Sequence, residues 1–521
     1  FLARNVIYVD GTSKELHTIV GAFTKKQAVC DGFSMAYKYL LDWYFNQYIK
    51  EESKYLKKKV LVKTNNGVQL SIEEKKRILT NNIYGVDIDY QAVEVTKLSL
   101  FLQMLDKQGK ILGKENQIFL LMQSDEAILP NLSNNIKCGN SLVETEDLLS
   151  SPDYRNITVE QKAKINPFSY EIEFENVMNN GGFDCVIGNP PYIKEYTDKS
   201  VFKPLHNNEC YMGKMDYWYF FGCKAIKLIN NNGLVSFIAT NNWNTNSGAQ
   251  KFRNIILDKA QLYKYIDFAE YKVFANASIQ TMVYTMGRSD GKKKFSFDYY
   301  KISDSKSINE VKQVLDNQDN ATIKKRITLN RKELKDRVIQ FNDSNDEVLL
   351  NKIEKHGTIY LNKSEIGQGI VPALDDYFIV NSLDKFNNKE KKYIKQWETG
   401  LPDRYSKYES KVYLIYLSDK NFKNEDIKEY KNILNHFEPY KKELKDAKIK
   451  YGTPNKPYYY VHRERDEKFF VKGNEKIIAQ VRCKRPKFYY TIDEFYGSRA
   501  LNFIQTTRVD MKYLVALLNS N

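Results

Sequence analysis

"FDCVIGNPPY", residues 183–192, sets an apolar strand-like run against a glycine and an Asn-Pro-Pro-Tyr tetrapeptide. Two consecutive prolines fix φ and withdraw two N–H donors, so the backbone can neither continue a ladder nor open an ordinary helical turn. The stretch therefore reads as a buried strand halted by a loop that is stiff by construction. Such a loop can present the Asn189 side-chain carbonyl and the Pro190 main-chain carbonyl together as acceptors, with Tyr192 offering a flat face. Two acceptors that draw the hydrogens of a nucleobase amine out of the ring plane return electron density to its nitrogen and make it a better nucleophile. The proton can leave after transfer, which agrees with a tetrapeptide that holds no His, Lys or Asp.

Outward from this decapeptide, strand and helix patterns alternate. "FSMAYKYLLDWYFNQYI" (33–49) has apolar residues at helical spacing, "TNNGVQ" (64–69) reads as a loop, and "NIYGVDID" (82–89) as a short strand. The amphipathic "YQAVEVTKLSLFLQMLDK" (90–107), the strand end "IKCGNSL" (136–142), a helix around 217–230 and the strand "GLVSFIAT" (233–240) follow. This alternation predicts an α/β domain built on a mostly parallel sheet. "YKYIDFAEYKVF" (263–274) and "SIQTMVYTMG" (278–287) are expected to add two strands at its far edge, while residues 1–30 read ambiguously. From about residue 288 the texture turns lysine-rich and poor in apolar residues. The domain boundaries expected are 1–290, a connector over 291–345, and a mixed α+β domain over 346–521.

Length alone calls for two or three domains, since single cores stop growing near roughly 300 residues. The net charge of +15 is concentrated: residues 381–521 hold 30 Lys and Arg against 19 Asp and Glu, leaving +4 for the first 380. A regional surplus of this kind suits a polyanion, because phosphate contacts supply most of non-specific nucleic-acid affinity. Six scattered cysteines without a Cys-x-x-Cys pair speak against a zinc site, a metal centre or a disulfide scaffold, and for a reducing cytoplasm. No apolar run reaches the roughly 18 residues of a membrane span. A chain that begins on Phe1 and ends on "LVALLNSN" reads as cut at both ends, the C-terminal domain included.

In parallel sheets the ligand crevice lies beyond the carboxyl ends of the strands. Three strand ends therefore compete as sites. "YGVDIDY" places Asp87 and Asp89 there, where one carboxylate can accept from both hydroxyls of a ribose and the other can cap the following helix. "KCGNSL" leaves Asn140 and Ser141, which can meet a purine edge or simply form a turn. The third is the opening decapeptide, whose chemistry is the most specific.

Asn-Pro-Pro-Tyr after an apolar strand resembles the signature of amino methyltransferases that use S-adenosylmethionine. The order of blocks "YLLDWY", "NIYGVDIDYQAVEVTKLSL", "NNIKCGNSLVE", "FDCVIGNPPYI", "DYWYFFGCKAIKLINNNGLVSFIATNNW", "KIIAQVRCKRPKFYYTIDEFY" and "YLVALLNS" resembles gamma-class N6-adenine DNA methyltransferases. The TaqI-like group is meant, including the long type IIG restriction-modification fusions. The resemblance implies a Rossmann-like methyltransferase domain followed by a target-recognition domain that binds double-stranded DNA. It implies that Asn189, Pro190, Pro191 and Tyr192 form the catalytic loop, with Asn189 also facing the cofactor, and that Phe274, in "YKVFANASIQTMVY", closes on a flipped base opposite Tyr192. Asp87 is the implied cofactor-ribose carboxylate, and Asn140 and Ser141 belong to the block near the cofactor adenine. In "VHRERDEKFF" (461–470) and "RCKRPKFYY" (482–490), Arg and Lys interleave with aromatics, so Arg463, Arg465, Arg482, Lys484, Arg485 and Lys487 are the expected DNA contacts.

One block departs from the family. Where members read roughly D-P-A-C-G-S-G before the helix that is here "YKYLLDWY", this chain has "TKKQAVCDGFSMAY" (24–37), in which Gly32 is the one glycine of the cofactor loop retained. "GAFTKK" (21–26) resembles a segment that members place further upstream. The leading expectation is a site-specific adenine-N6 DNA methyltransferase, the modification part of a restriction-modification protein, with any nuclease outside residues 1–521. The alternative is a methyltransferase-derived DNA-recognition subunit that has lost the cofactor. Methylation of RNA or of a protein glutamine ranks last, because it does not call for a long basic C-terminal domain.

Overall fold

The computed structural model describes every residue except 1–5, 11–29, 65–66, 106–129, 151–153, 155–156, 275–278, 316–320, 342–347, 350–351, 354, 358–359, 402–410, 484 and 521. The chain divides into two units, Phe1–Lys352 and Ile353–Asn521. In the first, the strands in chain order are β1 (Val6–Asp10), β2 (Leu61–Thr64), β3 (Gly67–Leu70), β4 (Ile83–Asp87), β5 (Ile136–Cys138) and β6 (Phe183–Asn189). Then come β7 (Ile229–Thr240), β8 (Ala260–Asp267), β9 (Thr281–Arg288), β10 (Lys294–Lys301) and β11 (Ile323–Asn330).

Nine of these make one mixed sheet in the order β11-β10-β8-β9-β7-β6-β1-β4-β5. β5, β4, β1, β6 and β7 run parallel, and β9 lies antiparallel between β7 and β8. β10 runs with β8, and β11 closes the edge antiparallel to β10. The expected α/β domain is thus present. Helices Cys30–Tyr48 and Tyr90–Leu105 pack in one core with β4 and β5 residues, and helix Trp218–Leu228 serves the main core. The last has nine of its eleven residues buried, with Lys224 and Lys227 marking its one strip towards solvent. Gly85 in β4 has a packing reason: a Cβ there would lie 2.3 Å from the Phe33 ring, so its absence lets helix Cys30–Tyr48 sit down on the sheet.

Four expectations need correction. Residues 1–30 hold β1, which sits at the middle of the sheet between β6 and β4. Of the 64–69 "loop", Thr64 ends β2 and residues 67–69 belong to β3, with Thr64 opposite Gly67. β9 is not at the far edge, and the 291–345 "connector" is not a linker: β10 and β11 pair over all eight residues and extend the sheet. Their inward positions Phe295, Phe297, Tyr299, Ile327 and Leu329 are buried, while Lys294, Lys324 and Arg326 face out, and that lysine-rich outer face dilutes the apolar signal. Phe341, further along, packs its ring on Tyr265, Phe297 and Tyr299.

The second unit carries two four-stranded sheets. One is β12 (Ile366–Gln368), β19 (Leu501–Ile504), β16 (Lys476–Gln480) and β17 (Phe488–Thr491); the other is β13 (Ile379–Val380), β15 (Tyr413–Ile415), β14 (Ile394–Glu398) and β18 (Tyr496–Gly497). Helices Lys431–Phe437 and Lys441–Lys450 share their core, around Trp397, Tyr416, Ile433, Phe437, Ile478 and Phe503. Among the described residues no helix is long and apolar enough to cross a membrane.

Candidate functional site

The chain lays down β1, β4 and β5 in one direction across the sheet, then β6 and β7 in the other, so the strand order reverses between β1 and β6. Open α/β sheets take ligands at such a reversal, beyond the carboxyl ends of the strands. Here β1 ends at Asp10, in register with Asn189 at the end of β6, and β4 ends at Asp87. The three residues mark one crevice.

Asn189 is 5% exposed. Its Oδ1 accepts from the Tyr192 hydroxyl at 2.9 Å, and the same hydroxyl donates to the Ile238 carbonyl of β7 at 3.2 Å. The tetrapeptide is therefore folded back on the sheet end. A carbonyl oxygen has two lone pairs, so one acceptor position on Asn189 Oδ1 remains for an incoming amino group. The residues that follow are pinned as well: Glu195 N–H donates to Met215 O at 3.0 Å and Tyr217 N–H to Ile193 O at 2.8 Å. Between these strands of contact lies Asp216, 1% exposed, whose Oδ2 accepts from Thr240 Oγ1 at 3.3 Å and from Tyr219 Oη at 3.4 Å. Trp218 Nε1 donates to the same Thr240 at 2.8 Å, tying the loop to the end of β7. Burial holds the Asp216 carboxyl above its ordinary range.

Phe274 meets Tyr192 as the sequence suggested, with ring centroids 6.4 Å apart at an interplanar angle of 47°. Two rings that sandwich a base need parallel planes about 7 Å apart, twice a van der Waals contact of about 3.5 Å. The pair is thus adjacent and slightly closed. Phe274 sits on a loop that starts at Asp267, which accepts from Ala269 N–H at 2.9 Å, Asn241 Nδ2 at 2.8 Å and Tyr299 Oη at 3.1 Å. With Tyr271 and Val273 it packs on a small cluster of Ile238, Ile266, Phe268, Tyr300, Ile302, Val311 and Val314. Sequence reasoning missed this support, since half of it comes from the segment read as a connector.

The other side of the crevice divides the roles of the two aspartates. Asp89 Oδ1 accepts from Gln91 N–H at 2.8 Å at the start of helix Tyr90–Leu105, so it caps. Asp87, 6% exposed, accepts from Asp89 N–H at 2.8 Å through Oδ1 and keeps acceptor capacity for two further hydroxyls. Burial pushes its pKa up to about 6, outweighing the backbone donors that lower it. The Asn140 amide is used locally: Oδ1 accepts from Leu142 N–H at 3.1 Å and Nδ2 donates to Ile165 O at 3.3 Å, as a turn residue would. Ser141 is 5% exposed beside it. Gly32 is buried in the first turn of helix Cys30–Tyr48, and "GAFTKK" and "TKKQAV" lie outside the described residues.

In the second unit, the β16–β17 connection carries Arg482, Arg485 and Lys487, which line a cavity of about 530 Å³ with Gly400, Leu401 and Gln480. Gln480 Oε1 accepts from Leu401 N–H at 2.8 Å. Lys484 lies outside the described residues. Arg463 and Arg465 line a different cavity; Arg465 is already held, donating through Nε to Gly369 O at 3.1 Å and through Nη2 to Gln368 Oε1 at 2.7 Å.

The crevice of this reversed α/β sheet thus carries Asn-Pro-Pro-Tyr on one side and a buried carboxylate on the other. Residues 81–274 match the family model described as the Eco57I restriction-modification methylase. Over 361 residues the chain is 24% identical to the type II restriction enzyme and methyltransferase RM.Eco57I of Escherichia coli, covering 68% of this chain and 32% of that one. It therefore spans about a third of that relative's length. The type II methyltransferase M.HindII of Haemophilus influenzae is 25% identical over 72% of this chain and 76% of its own. Among solved structures, the type IIL restriction-modification enzyme MmeI in complex with DNA shares the fold, with a TM-score of 0.55, 13% identity, and coverage of 99% of this chain and 58% of that one.

Proposed function

We propose that the chain transfers a methyl group from S-adenosylmethionine to the N6 amine of adenine at a specific site in double-stranded DNA, as the modification part of a restriction-modification protein of the cytoplasm. The observation that carries this reading is the meeting of Asn189 at the strand reversal with the Tyr192–Phe274 pair. When bound, the cofactor supplies the methyl group. Asp87 accepts from its ribose hydroxyls, with Gly32, Asn140 and Ser141 near its remaining parts. Asn189 Oδ1 and the Pro190 carbonyl hold the adenine amine by its hydrogens, raising the density on nitrogen. Pro190 and Pro191 keep those acceptors from relaxing. Tyr192 and Phe274 part by a fraction of an ångström and cover the extruded base on both faces, compensating a few kcal/mol of lost stacking. Duplex DNA is taken up by the basic residues Arg463, Arg465, Arg482, Lys484, Arg485 and Lys487 of the region 346–521, which acts as the target-recognition domain.

Sequencing of DNA exposed to the protein and cofactor, with detection of N6-methyladenine, tests this directly. Methyladenine at one recurrent sequence is the expected result, and unmodified DNA under saturating cofactor would overturn it. A second reading is favoured by one feature, the retention of Gly32 alone in the cofactor loop: the chain would then recognise DNA without methylating it. Binding of S-adenosylmethionine in calorimetry separates the two.

A further inference from the structure

The cavity holding Arg463 has a chemistry that the methyl-transfer reading leaves unused. It measures about 500 Å³ and is lined by Arg463, Arg465, Arg499, His462, Asp375, Tyr451 and a wall formed by Val371, Pro372 and Ala373. That volume lies within the usual range for small-ligand sites and is several times what a bare inorganic ion fills. Its charge is unbalanced: three guanidiniums face one carboxylate, Asp375, which sits in the field of Arg499. Arg465 is fixed in place by Gly369 and Gln368. Arg463 and Arg499 make no side-chain hydrogen bond to any described residue. The backbone of Arg463 is nevertheless rigid, since its N–H and C=O both pair with Val371, at 2.9 and 3.1 Å.

His462 adds a second, independent mark. Its ring lies tilted by 36° against Tyr451 with centroids 4.9 Å apart, and its Nδ1 is buried with no hydrogen-bond partner. Around it stand Lys448, held by Tyr460 O at 2.6 Å, Lys456, paired with Asp419 at 3.4 Å, Arg463 and Arg465. Burial and these four cations keep the imidazole below its ordinary pKa and neutral. Cations crowded about a neutral ring leave an anion as the missing partner.

We propose that this cavity binds the phosphate of a nucleotide unit between Arg463, Arg465 and Arg499, with the Val371–Ala373 wall against its sugar or base. The inference extends the polyanion-contact reading of Arg463 and Arg465 and rests on it in part. Two sources share the chemistry, a backbone phosphate of bound DNA and a free nucleotide acting as an effector.

Equilibrium dialysis of the full chain against labelled deoxycytidine 5′-monophosphate and against deoxycytidine tests it; cytosine keeps the probe distinct from adenine-binding parts of the crevice. The monophosphate should bind at least about tenfold more tightly than the nucleoside, and Arg463→Gln and Arg499→Gln should each weaken it by about tenfold, the loss of one charge-assisted bond. Circular dichroism checks that both variants remain folded, and Arg463→Lys should restore part of the affinity. A duplex that displaces the nucleotide, and whose own binding falls in Arg463→Gln, identifies DNA as the source; a nucleotide that stays bound beside the duplex identifies a free effector. Equal binding of nucleotide and nucleoside, no binding of either, or indifference to both substitutions would overturn the site. A chain that takes the nucleotide through Arg463 and binds no duplex breaks the DNA reading instead, so the two failures are told apart.

Discussion

The two halves of the crevice are built to different standards. On the β6–β7 side every expected residue is tied down: Tyr192 bonds to Asn189 and Ile238, Asp216 anchors the following loop, and Asp267 anchors the loop of Phe274. On the β1–β4–β5 side, Asp87 combines burial with spare acceptor capacity among the described residues, while Asn140 is spent on its own turn. The lesson is that holding a base edge demands fixed acceptors, and a rigid frame supplies them. A ribose can be held by one carboxylate whose charge is costly to bury.

That contrast can be broken at its stronger side first. Asn189→Ala should lower kcat by roughly a hundred- to a thousandfold, the scale on which one preorganised polar group matters in a transition state, with little change in cofactor affinity; methyl transfer to a cognate duplex measures it. Phe274→Ala removes one face of the base sandwich, about 1–3 kcal/mol of stacking or roughly tenfold to a hundredfold, read from 2-aminopurine fluorescence at the target position.

Asp87→Asn sharpens the comparison from the other side. Loss of charge-assisted bonds to ribose should weaken the cofactor by about tenfold or more at pH 8, measured by calorimetry. Because the folded-state pKa of Asp87 is raised to about 6, its burial costs stability above that pH and the cost fades as pH falls through 6 towards 4. The same substitution should therefore raise the urea midpoint at pH 8 and leave it nearly unchanged near pH 4. Cofactor affinity of the native chain, which needs the ionised form, should fall below pH 6. The smallest effect is expected for Tyr192→Phe: the ring stays, two hydroxyl contacts go, and activity should drop by less than about tenfold in steady-state assays.

Legibility from the sequence followed chemistry more closely than topology. Asn-Pro-Pro-Tyr could be read because prolines have few structural excuses, and the division of labour between Asp87 and Asp89 because a cap has a fixed offset from its helix. β1 escaped because "VIYVD" is five residues long and nothing local says that it will be inserted between strands 73 and 173 residues later in the chain. β10 and β11 escaped for a different reason. Their buried faces, Phe295-Phe297-Tyr299 and Ile327-Leu329, alternate as strands should, but averaging over the segment mixed them with the exposed lysines between. The full pinning of Asp267 leaves little mark in a linear pattern, since two of its partners stand 26 and 32 residues away, whereas the turn at Asn140, whose Oδ1 bonds Leu142 two residues on, was one of the two readings the sequence left open.

The placement of β9 between β7 and β8 has a mechanical corollary. β8 ends, and β9 begins, at the same edge of the sheet as Asn189, and the two are closed at their base by Asp267 opposite Met282. Residues 268–274 thus leave the sheet at that end and carry Phe274 beside Tyr192. Lengthening or shortening that segment before Phe274 would re-aim its ring while leaving the sheet, its register and Asn189 in place, so an insertion there would tune the gap to Tyr192 at little risk to the fold.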